Sequence, residues 1–415
     1  MSELRAPKGT FDVLPSSAPG YARVEAEAAR ILGRAGYQRI ETPIFESTEL
    51  FSRGVGESTD IVAKEMYSFD DGGGRSMTLR PEGTASVSRA YIEHGMHKLQ
   101  QPVRLWYSGP FFRHEAPQAG RYRQFHQIGA EAFGSDRPEL DAEMVTLLAE
   151  LLEVLGVQGL QLNLGTLGSI SARTSYREIL IAHLREREGE LSEEVRSRID
   201  ANPLRAFDSS HPGTQQVMTD APLLIDSLEA EDLDHFDTVK ELLSAAGVAF
   251  TIDPKLVRGL DYYGRTVFEF SSDSLGAQSG VGGGGRYDGL IGLLGGPETP
   301  GIGWAAGVER ILLAQGDAAP SSSECDLLVV SIDGQRLDQA FGLAHHARQA
   351  GLEARLEASG RSVKASLKHA DRIGAKAVAL IASDSIDLKD LQSGEQTAFE
   401  STGALLDSIA GKMQP

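Results

Sequence analysis

Two stretches of the chain carry apolar residues at the three- and four-residue spacing of a helix with one buried face. They are residues 19–35 and 139–155, and in each the apolar positions fall on a single stripe. Runs rich in branched and aromatic side chains predict strands. The strand candidates are residues 103–107, 124–133, 160–164 and 265–270. Because these helices and strands do not alternate regularly, the pattern predicts an α+β sheet domain and not a doubly wound parallel sheet.

Composition changes along the chain predict further regions. Residues 170–222 are rich in charge and turn formers with few apolar anchors, which indicates a small helical insertion. Residues 315–324 have the composition of a linker. A strand, helix, strand and helix then predict a compact α/β domain at 325–415. The sheet domain is therefore expected to comprise residues 1–169 and 223–314.

Length and composition narrow the class of protein. At 415 residues the chain suggests two or three domains. Its longest apolar runs are far shorter than the roughly 18 residues that span a bilayer. The single cysteine, Cys325, excludes an intramolecular disulfide and a cysteine metal cluster. We therefore expect a cytoplasmic protein with no membrane segment and no structural metal. The net charge of −19 argues against broad nucleic-acid binding but leaves room for a local basic patch.

The usual phosphate-binding loop is missing from the chain. The glycine run at residues 280–285 leads into Arg286 and not into the Lys-Ser/Thr of a P-loop. Metalloprotease and serine-hydrolase motifs are also missing from the sequence. The candidate chemistry therefore rests on segments dense in arginine, glycine and aromatic residues.

The first such segment spans residues 111–131. Strand alternation places the odd positions 125, 127, 129 and 131 on one face. A single arginine on a strand is usually a surface ion pair. A shared face with several polar or aromatic groups instead favours a binding floor. The groups expected over that face are Arg113, Arg121, Phe125, Gln127 and Glu131.

Two further segments have the same character. Arg258 lies in a turn-like run beside Tyr262 and Tyr263, whose hydroxyls need partners if they are buried. Taken alone, those tyrosines are better explained as core aromatics. A strand with glycine at alternate positions precedes a helix that bears Arg310, and such glycines let another group approach the backbone closely. The alternative is a packed strand with Arg310 in solvent.

These segments resemble motif 2, the histidine-specific signature and motif 3 of the histidyl-tRNA synthetases, a family of class II aminoacyl-tRNA synthetases. The resemblance covers nearly the whole chain and is weakest over about 170–245. It implies a class II antiparallel sheet flanked by helices and a C-terminal anticodon-binding domain. Further matching pieces are residues 9–15, 42–45 (similar to motif 1), 78–84, 283–289 and 370–375.

The resemblance implies that ATP and histidine form histidyl-adenylate and that the histidyl group then passes to tRNA(His). Arg113 and Arg258 are expected to flank the α-phosphate as catalytic groups, since fixed positive charge stabilises that transition state. Arg121 would contact the γ-phosphate, and Mg²⁺ is expected on the β- and γ-phosphates. Phe125 and Arg310 would sandwich adenine. The implied ATP-binding residues are Arg113, Glu115, Arg121, Phe125, Arg258 and Arg310.

Histidine recognition requires groups complementary to both imidazole nitrogens. Glu131 and Tyr263 match the family positions for the ring, and Glu82, Thr84 and Gln127 match those for the α-amino group. Such a site leaves its own buried groups unpaired with Phe or Leu, which gives discrimination without an editing domain. The implied histidine-binding residues are Glu82, Gly83, Thr84, Gln127, Glu131, Tyr262, Tyr263 and Tyr287.

The residues expected to contact tRNA lie in two places. One is Gln118 in the motif 2 loop, where Ala116 and Ala119 replace residues that are often basic in the family. We therefore predict a weaker dependence on the usual acceptor-end identity pair. The other is a basic stripe that either meets anticodon-stem phosphates or is only a solvated helix face. Its members are Arg361, Lys364, Lys368, Arg372 and Lys376.

Two alternatives bear on this interpretation. A paralogue of the family regulates ATP phosphoribosyltransferase and binds histidine without charging tRNA, but it lacks the anticodon-binding domain and has degraded catalytic segments. A class II synthetase for proline, threonine or glycine would not carry residues 256–263 and Glu131. The resemblance to motif 1 also implies a homodimer.

Overall fold

The chain forms two compact units, residues 1–318 and residues 319–415. The change of unit falls within the stretch predicted as a linker, of which residues 317–324 lie outside the described residues. The finer domain boundaries stay a prediction. The computed structural model describes residues 3–56, 59–256, 260, 262–276, 279–316 and 325–413.

The first unit contains an eight-stranded and a three-stranded sheet. Its strands are β1 (Gln38–Arg39), β2 (Phe45–Ser47), β3 (Tyr67–Asp70), β4 (Ser76–Leu79), β5 (Val103–Phe112), β6 (Gln124–Phe133), β7 (Leu160–Thr166), β8 (Thr251–Ile252), β9 (Gly264–Ser272), β10 (Gly280–Arg286) and β11 (Gly301–Gly307). The large sheet has the order β1-β5-β6-β11-β10-β9-β7-β8, and the small one β2-β4-β3. In the large sheet only the outermost pairs, β1 with β5 and β7 with β8, are parallel. The predicted α+β, antiparallel-dominated fold is confirmed.

Helices of the first unit pack against both faces of the large sheet. They are α1 (Ala18–Arg34), α2 (Thr48–Val55), α3 (Thr84–Glu93), α4 (Pro138–Val154), α5 (Ile170–Glu186), α6 (Glu193–Arg198), α7 (Pro212–Val217), α8 (Ala230–Ala245), α9 (Leu290–Leu293) and α10 (Val308–Ala314). Short 3-10 helices span Met96–Lys98, Glu188–Glu190, Pro203–Asp208, Leu224–Ser227 and Asp273–Leu275, and a π-turn spans Ile61–Glu65. Both predicted long helices, α1 and α4, are present, each displaced by one residue because a proline fits the first turn.

The main core lies between the large sheet and helices α1, α4 and α8. Ile31, Leu148 and Phe236 from these helices pack in one cluster with Ile128 and Trp304 of the sheet. Burying these side chains stabilises the fold by about 25 cal/mol for each Å² of apolar surface removed from water. The opposite face of β6 carries the polar Gln127 and Glu131 together with Phe125 and Phe133.

The predicted insertion, residues 170–222, is helical in the structure and contains α5, α6 and α7. The expectation that it has few apolar anchors is wrong. Tyr176, Leu180 and Leu184 lie four residues apart on one face of α5 and are at most 1% exposed. They belong to a cluster that also holds Val217 and residues of the large sheet. The composition hides this core because its apolar residues are spaced widely among charges.

The second unit is an α/β domain with more strands than predicted. Its elements are β12 (Cys325–Ser331), α11 (Leu337–Gln349), β13 (Ala354–Leu356), α12 (Val363–Arg372), β14 (Ala375–Ile381), β15 (Ile386–Asp390), β16 (Gln396–Ala398) and α13 (Thr402–Met413). The sheet order is β13-β12-β14-β15-β16. Buried side chains form one cluster on each side of this sheet. The last hairpin was missed because β15 alternates apolar with charged residues over only five positions.

Candidate active site

The β5–β6 hairpin places the first candidate segment on the face of the sheet away from α1 and α4. In β6, Ile128 and Ala130 lie in the helix-packed core. Phe125 and Gln127 line an open cleft, and Glu131 is fully buried nearby on the same strand face. The predicted grouping of the odd positions on one face is confirmed.

An open cleft of about 450 Å³ lies on this face. Its floor is the glycine-rich backbone of β10 and the end of β11, which leaves room for a flat ligand to lie against the main chain. Arg258 lies outside the described residues. The other residues predicted to bind ATP all line this cleft: Arg113, Glu115, Arg121, Phe125 and Arg310.

Arg113 is fixed on one side and open to the cleft on the other. Its Nε donates to the Pro81 carbonyl over 2.9 Å, and its guanidinium carbon lies 5.4 Å from the centre of the Phe125 ring. The Glu115 carboxylate is 3.9 Å away, at the edge of ion-pair range. The side chain is 22% exposed, so its terminal amino groups can reach an anion in the cleft.

Arg310 enters the cleft from the first turn of α10. Its Nε donates to the Gly280 carbonyl, and its stem passes 3.4 Å from the position of a Cβ on Gly307. Burial, together with the charge of Arg121, lowers the pKa of the Arg310 guanidinium. Two neighbouring cations in a half-buried cleft favour an anionic ligand. The alternative that Arg310 points into solvent is therefore wrong.

Glu115 pairs with Arg121 in the described structure. Arg121 Nη1 donates to Glu115 Oε2 over 3.2 Å. The loop between them is a tight hairpin in which Gln118 and Arg121 exchange backbone hydrogen bonds of 3.1 and 2.9 Å. A bound nucleotide would have to compete with this pair for the Glu115 carboxylate.

Glu131 is the centre of a buried pocket lined by hydroxyl groups. The hydroxyls of Thr84, Tyr107 and Tyr287 donate to its carboxylate over 2.8, 3.3 and 2.5 Å. Burial raises the pKa of the Glu131 carboxyl to about 8, although these hydrogen bonds act to lower it. A buried acid surrounded by polar groups is well suited to bond a ligand N–H.

The Glu82 carboxylate lies at the N-terminus of α3, beside this pocket. Its carboxylate accepts hydrogen bonds from the backbone N–H groups of Thr84 and Ala85 over 2.7 and 2.9 Å. Burial raises the pKa of Glu82. These bonds cap the helix and fix Thr84 so that its hydroxyl meets Glu131. Glu82, Gly83 and Thr84 are thus held together beside the pocket.

Two buried oxygens near the pocket have no hydrogen-bond partner within the described part of the chain. They are the amide oxygen of Gln127 and the hydroxyl of Tyr262. Leaving such a group unpaired costs about 1–3 kcal/mol. A polar ligand that bonded these two oxygens would remove that cost, so both are typical of a binding site. Tyr262 stacks edge-on against Tyr287 at 5.6 Å and packs beside Tyr263 at 4.7 Å. The tyrosines therefore belong both to the core and to the pocket wall.

Tyr107 was missed by the sequence reasoning. Its ring fills the space above two glycines: a Cβ on Gly83 or Gly129 would lie 2.3 or 2.2 Å from its ring carbon Cζ. Only glycine at both positions lets the Tyr107 hydroxyl reach Glu131. The available signal was strand alternation, because Tyr107 pairs with Gly129 across the hairpin.

Glu309 was also missed as a structural support of the site. Its carboxylate accepts from the backbone N–H of His126 over 2.9 Å and lies 2.9 Å from the His126 ring nitrogen Nδ1. The contact ties α10 to β6 between Phe125 and Gln127. It therefore fixes the strand that carries both ligand-facing side chains.

The residues predicted to contact tRNA are separated in the structure. Gln118 is at the tip of the hairpin loop. Lys364, Lys368 and Arg372 lie exposed at four-residue spacing on α12. The expectation of one helical stripe of five is wrong at its ends. Arg361 precedes α12 and pairs with Glu357 over 2.7 Å, and Lys376 lies on β14 and pairs with Asp326 over 2.9 Å.

The described residues carry neither a metal-binding cluster nor a membrane-spanning helix. There, no group of three or more His, Cys, Asp or Glu residues is arranged to hold a metal ion. In the same part of the chain, no helix is both long and apolar enough to cross a bilayer.

Comparisons with solved structures support the fold. The structure of the apo histidyl-tRNA synthetase of S. aureus superposes with a TM-score of 0.83 at 35% identity, covering 98% of this chain and all of that one. A Bacillus halodurans structure described as an ATP phosphoribosyltransferase regulatory subunit/histidyl-tRNA synthetase reaches 0.68 at 20% identity, with 92% and 99% of the two chains covered. The second likeness bears on the fold alone.

Comparisons of sequence identify the family. The model of the Histidyl-tRNA synthetase family matches residues 9–311. The Histidine–tRNA ligase of Synechococcus elongatus is 47% identical over 98% of this chain and 95% of its own length. That of Saccharopolyspora erythraea is 48% identical over 95% and 96%. The chain, which carries the arginine-lined cleft beside a buried acidic pocket, belongs to the histidyl-tRNA synthetase family.

Proposed function

We propose that the chain activates L-histidine with ATP to histidyl-adenylate and transfers the histidyl group to the 3′ end of tRNA(His). The observation that carries this function is the adjacency of two sites on one strand. The cleft residues Phe125 and Gln127 and the buried Glu131 share the same face of β6. An anionic nucleotide and a small ligand with an N–H donor would therefore meet on this face.

In the first step, the histidine carboxylate attacks the α-phosphorus of ATP and pyrophosphate leaves. Both reactants are anions, so the barrier falls if cations are fixed where the charge accumulates. Arg113 is held by Pro81 and Phe125 with its amino groups towards the cleft. We assign Arg113 and Arg258 to the α-phosphate and Arg121 to the γ-phosphate.

Adenine would lie between Phe125 and Arg310. Both side chains line the cleft, and a guanidinium plane and a phenyl ring can each stack on a base. The Glu115 carboxylate would accept a hydrogen bond from the adenine amino group once its present hydrogen bond with Arg121 is broken. Arg121 would then be released towards the phosphates.

The imidazole of histidine would be recognised by Glu131 and Tyr263. In the ligand-bound pocket, one ring N–H donates to Glu131, which the hydroxyls of Thr84, Tyr107 and Tyr287 hold in place. Glu82, Thr84 and Gln127 would receive the α-amino group, and the unpaired Gln127 oxygen supports this. The remaining pocket residues assigned to histidine are Gly83, Tyr262 and Tyr287.

Mg²⁺ would accompany the ATP phosphates. The Glu269 carboxylate lines the cleft, and carboxylate oxygens are ligands that Mg²⁺ accepts together with substrate phosphates and water. The ion would neutralise charge on the β- and γ-phosphates.

The second unit would bind the tRNA through α12. Lys364, Lys368 and Arg372 present three positive charges along one exposed helix face, and such a face suits a row of phosphates. Gln118, in the loop of the first unit, would meet the acceptor end. Arg361 would contact the tRNA only if its ion pair with Glu357 were broken.

The chain would act as a homodimer in the cytoplasm. Ile44, Phe45 and Phe69 are 44–50% exposed around the small sheet near motif 1, and the rings of Phe45 and Phe69 lie 6.0 Å apart. Clustered exposed apolar side chains mark interaction surfaces. Light scattering should give twice the mass of one chain, and Phe45→Asp should lower it to that of a monomer.

Histidine-dependent exchange of pyrophosphate into ATP tests the activation step. The chain should catalyse exchange with histidine and not with proline, threonine or glycine. No exchange with any amino acid would favour the regulatory alternative, and exchange with a different amino acid would favour another synthetase. Arg258→Ala should abolish exchange while histidine binding, measured by calorimetry, is largely kept.

A further inference from the structure

The N-terminal segment of residues 7–11 lies against the backbone of the hairpin loop that lines the ATP cleft. The N–H of Arg123 donates to the Gly9 carbonyl over 2.7 Å, and the N–H of Arg113 donates to the Arg123 carbonyl over 3.0 Å. Gly9, Arg123 and Arg113 therefore form successive rungs of one hydrogen-bonded network. The last rung is the backbone of the proposed catalytic arginine.

The shape of the segment requires glycine at position 9. Gly9 has φ +85°, which side chains rarely adopt, and a Cβ there would lie 2.8 Å from both Cγ and Cδ of Arg123. The Arg123 stem thus occupies the space that a side chain on Gly9 would need. From there, Arg123 Nε donates to the Glu115 carbonyl over 3.2 Å and links the two arms of the loop.

Phe11 makes a second contact between the N-terminal segment and the loop. Its ring centre is 4.5 Å from that of Tyr122, and Tyr122 lines the ATP cleft. An aromatic pair at this distance contributes about 0.5–1.5 kcal/mol beyond its buried area. The contact holds Tyr122, and with it the neighbouring Arg121, from the side of the loop outside the cleft.

We propose that residues 7–11 form a clasp on the ATP-binding loop, residues 113–123, and that Gly9 and Phe11 are positioning residues for ATP. They do not line the cleft themselves. They act by holding Arg113, Arg121 and Tyr122 in the arrangement that the phosphates and adenine require. A misplacement of such groups by about 1 Å lowers rates strongly. The inference rests on the proposed function only in naming ATP as the ligand.

The kinetic test compares Phe11→Ala with Phe11→Tyr, which keeps the ring, and with Leu14→Ala, an exposed neighbour. In histidine-dependent exchange, Phe11→Ala should raise the KM for ATP about tenfold and leave the KM for histidine unchanged. Phe11→Tyr and Leu14→Ala should behave like the original chain. An unchanged KM for ATP, or an equal rise in both KM values, would overturn the proposal.

Hydrogen exchange tests the clasp independently of activity. Loss of the Phe11–Tyr122 contact should speed amide exchange in the peptide that contains Arg123, and Gly9→Ala should do the same by displacing the Arg123 stem. Unaltered exchange in both variants would overturn the proposal. If the unmodified chain shows no histidine-dependent exchange of pyrophosphate, the proposed function fails, and the amide measurement still decides whether the clasp exists.

Discussion

The Glu131 side chain is fully buried, and its surroundings determine whether its carboxyl group is charged. Its pKa is raised to about 8 by burial, so in the ligand-free chain it is mostly protonated at neutral pH. Three hydroxyl donors partly offset the loss of water. The proposed role of Glu131 therefore predicts that histidine binding is coupled to the protonation of this one residue.

The pH dependence of stability should report this coupling. Glu131 has a folded-state pKa of about 8 against the ordinary glutamate value of 4.5, so its stabilising contribution is full below pH 4.5 and is lost as pH rises to 8. Between these limits the group should lower the free energy of unfolding by about 1.4 kcal/mol per pH unit. Urea unfolding of Glu131→Gln should lack that slope. Parallel pH profiles for the two proteins would contradict a raised pKa.

Tyr107→Phe should weaken histidine binding and leave ATP binding unchanged. The substitution keeps the ring over Gly83 and Gly129 but removes the donor to Glu131. One hydrogen bond contributes about 0.5–1.5 kcal/mol, so the KM for histidine should rise about two- to tenfold. Tyr176→Phe is the matched control, because that buried hydroxyl bonds Pro222 in the insertion. Equal effects of the two variants would argue against a role for Tyr107.

Single residues were predictable where a motif and an alternating strand agreed. Glu131, Gln127 and Phe125 follow from alternation in β6, and the structure places them on the expected face. Tyr107 and Glu309 were not predictable in this way, because their roles depend on contacts with residues far along the chain. Alternation identifies a face but not which distant hydroxyl will meet it.

At the scale of elements, glycines in β10 and β11 leave the space in which neighbouring strands and the Glu131 side chain pack closely. A Cβ on Gly303 would lie 1.6 Å from the Glu131 carboxylate. Gly303→Ala should therefore displace Glu131 and reduce histidine-dependent exchange more than about 100-fold. Gly33→Ala in α1 is the control, because nothing lies within 4 Å of its added Cβ and alanine favours a helix. Activity retained in Gly303→Ala would show that the pocket can relax.

Helix α12 allows a test of the tRNA-binding element. Replacing Lys364, Lys368 and Arg372 together with alanine should raise the KM for tRNA in charging assays and weaken its dependence on salt. Exchange of pyrophosphate needs no tRNA and should be unchanged. Lys389→Ala, on β15 of the same unit, serves as the control. An unaffected KM for tRNA would leave this face as an ordinary solvated surface.

Long amphipathic elements were predictable, and the core within the insertion was not. The stripes of α1 and α4 identify those helices to within one residue. In residues 170–222, Tyr176, Leu180 and Leu184 also follow helical spacing, but the surrounding charge obscures them. The strands β15 and β16 are too short for their alternation to stand out.

For the whole molecule, the order of segments and the family resemblance predicted the architecture, which the comparisons and the sheet topology confirm. The packing of the clasp against the loop was not predictable, because Gly9 and Arg123 are separated by more than a hundred residues. Ala116 and Ala119 remain an unusual feature of that loop. Transcripts of tRNA(His) with and without the acceptor-end identity pair should be charged with more similar efficiency than is usual. A complete dependence on the pair would contradict this.

The measurement that tests the central claim most directly is charging of tRNA(His) with labelled histidine in the presence of ATP. The account predicts that the chain forms histidyl-tRNA with histidine alone among the amino acids and that Glu131→Gln and Arg113→Ala are each at least about 100-fold slower. Binding of histidine without any charging of tRNA would contradict it.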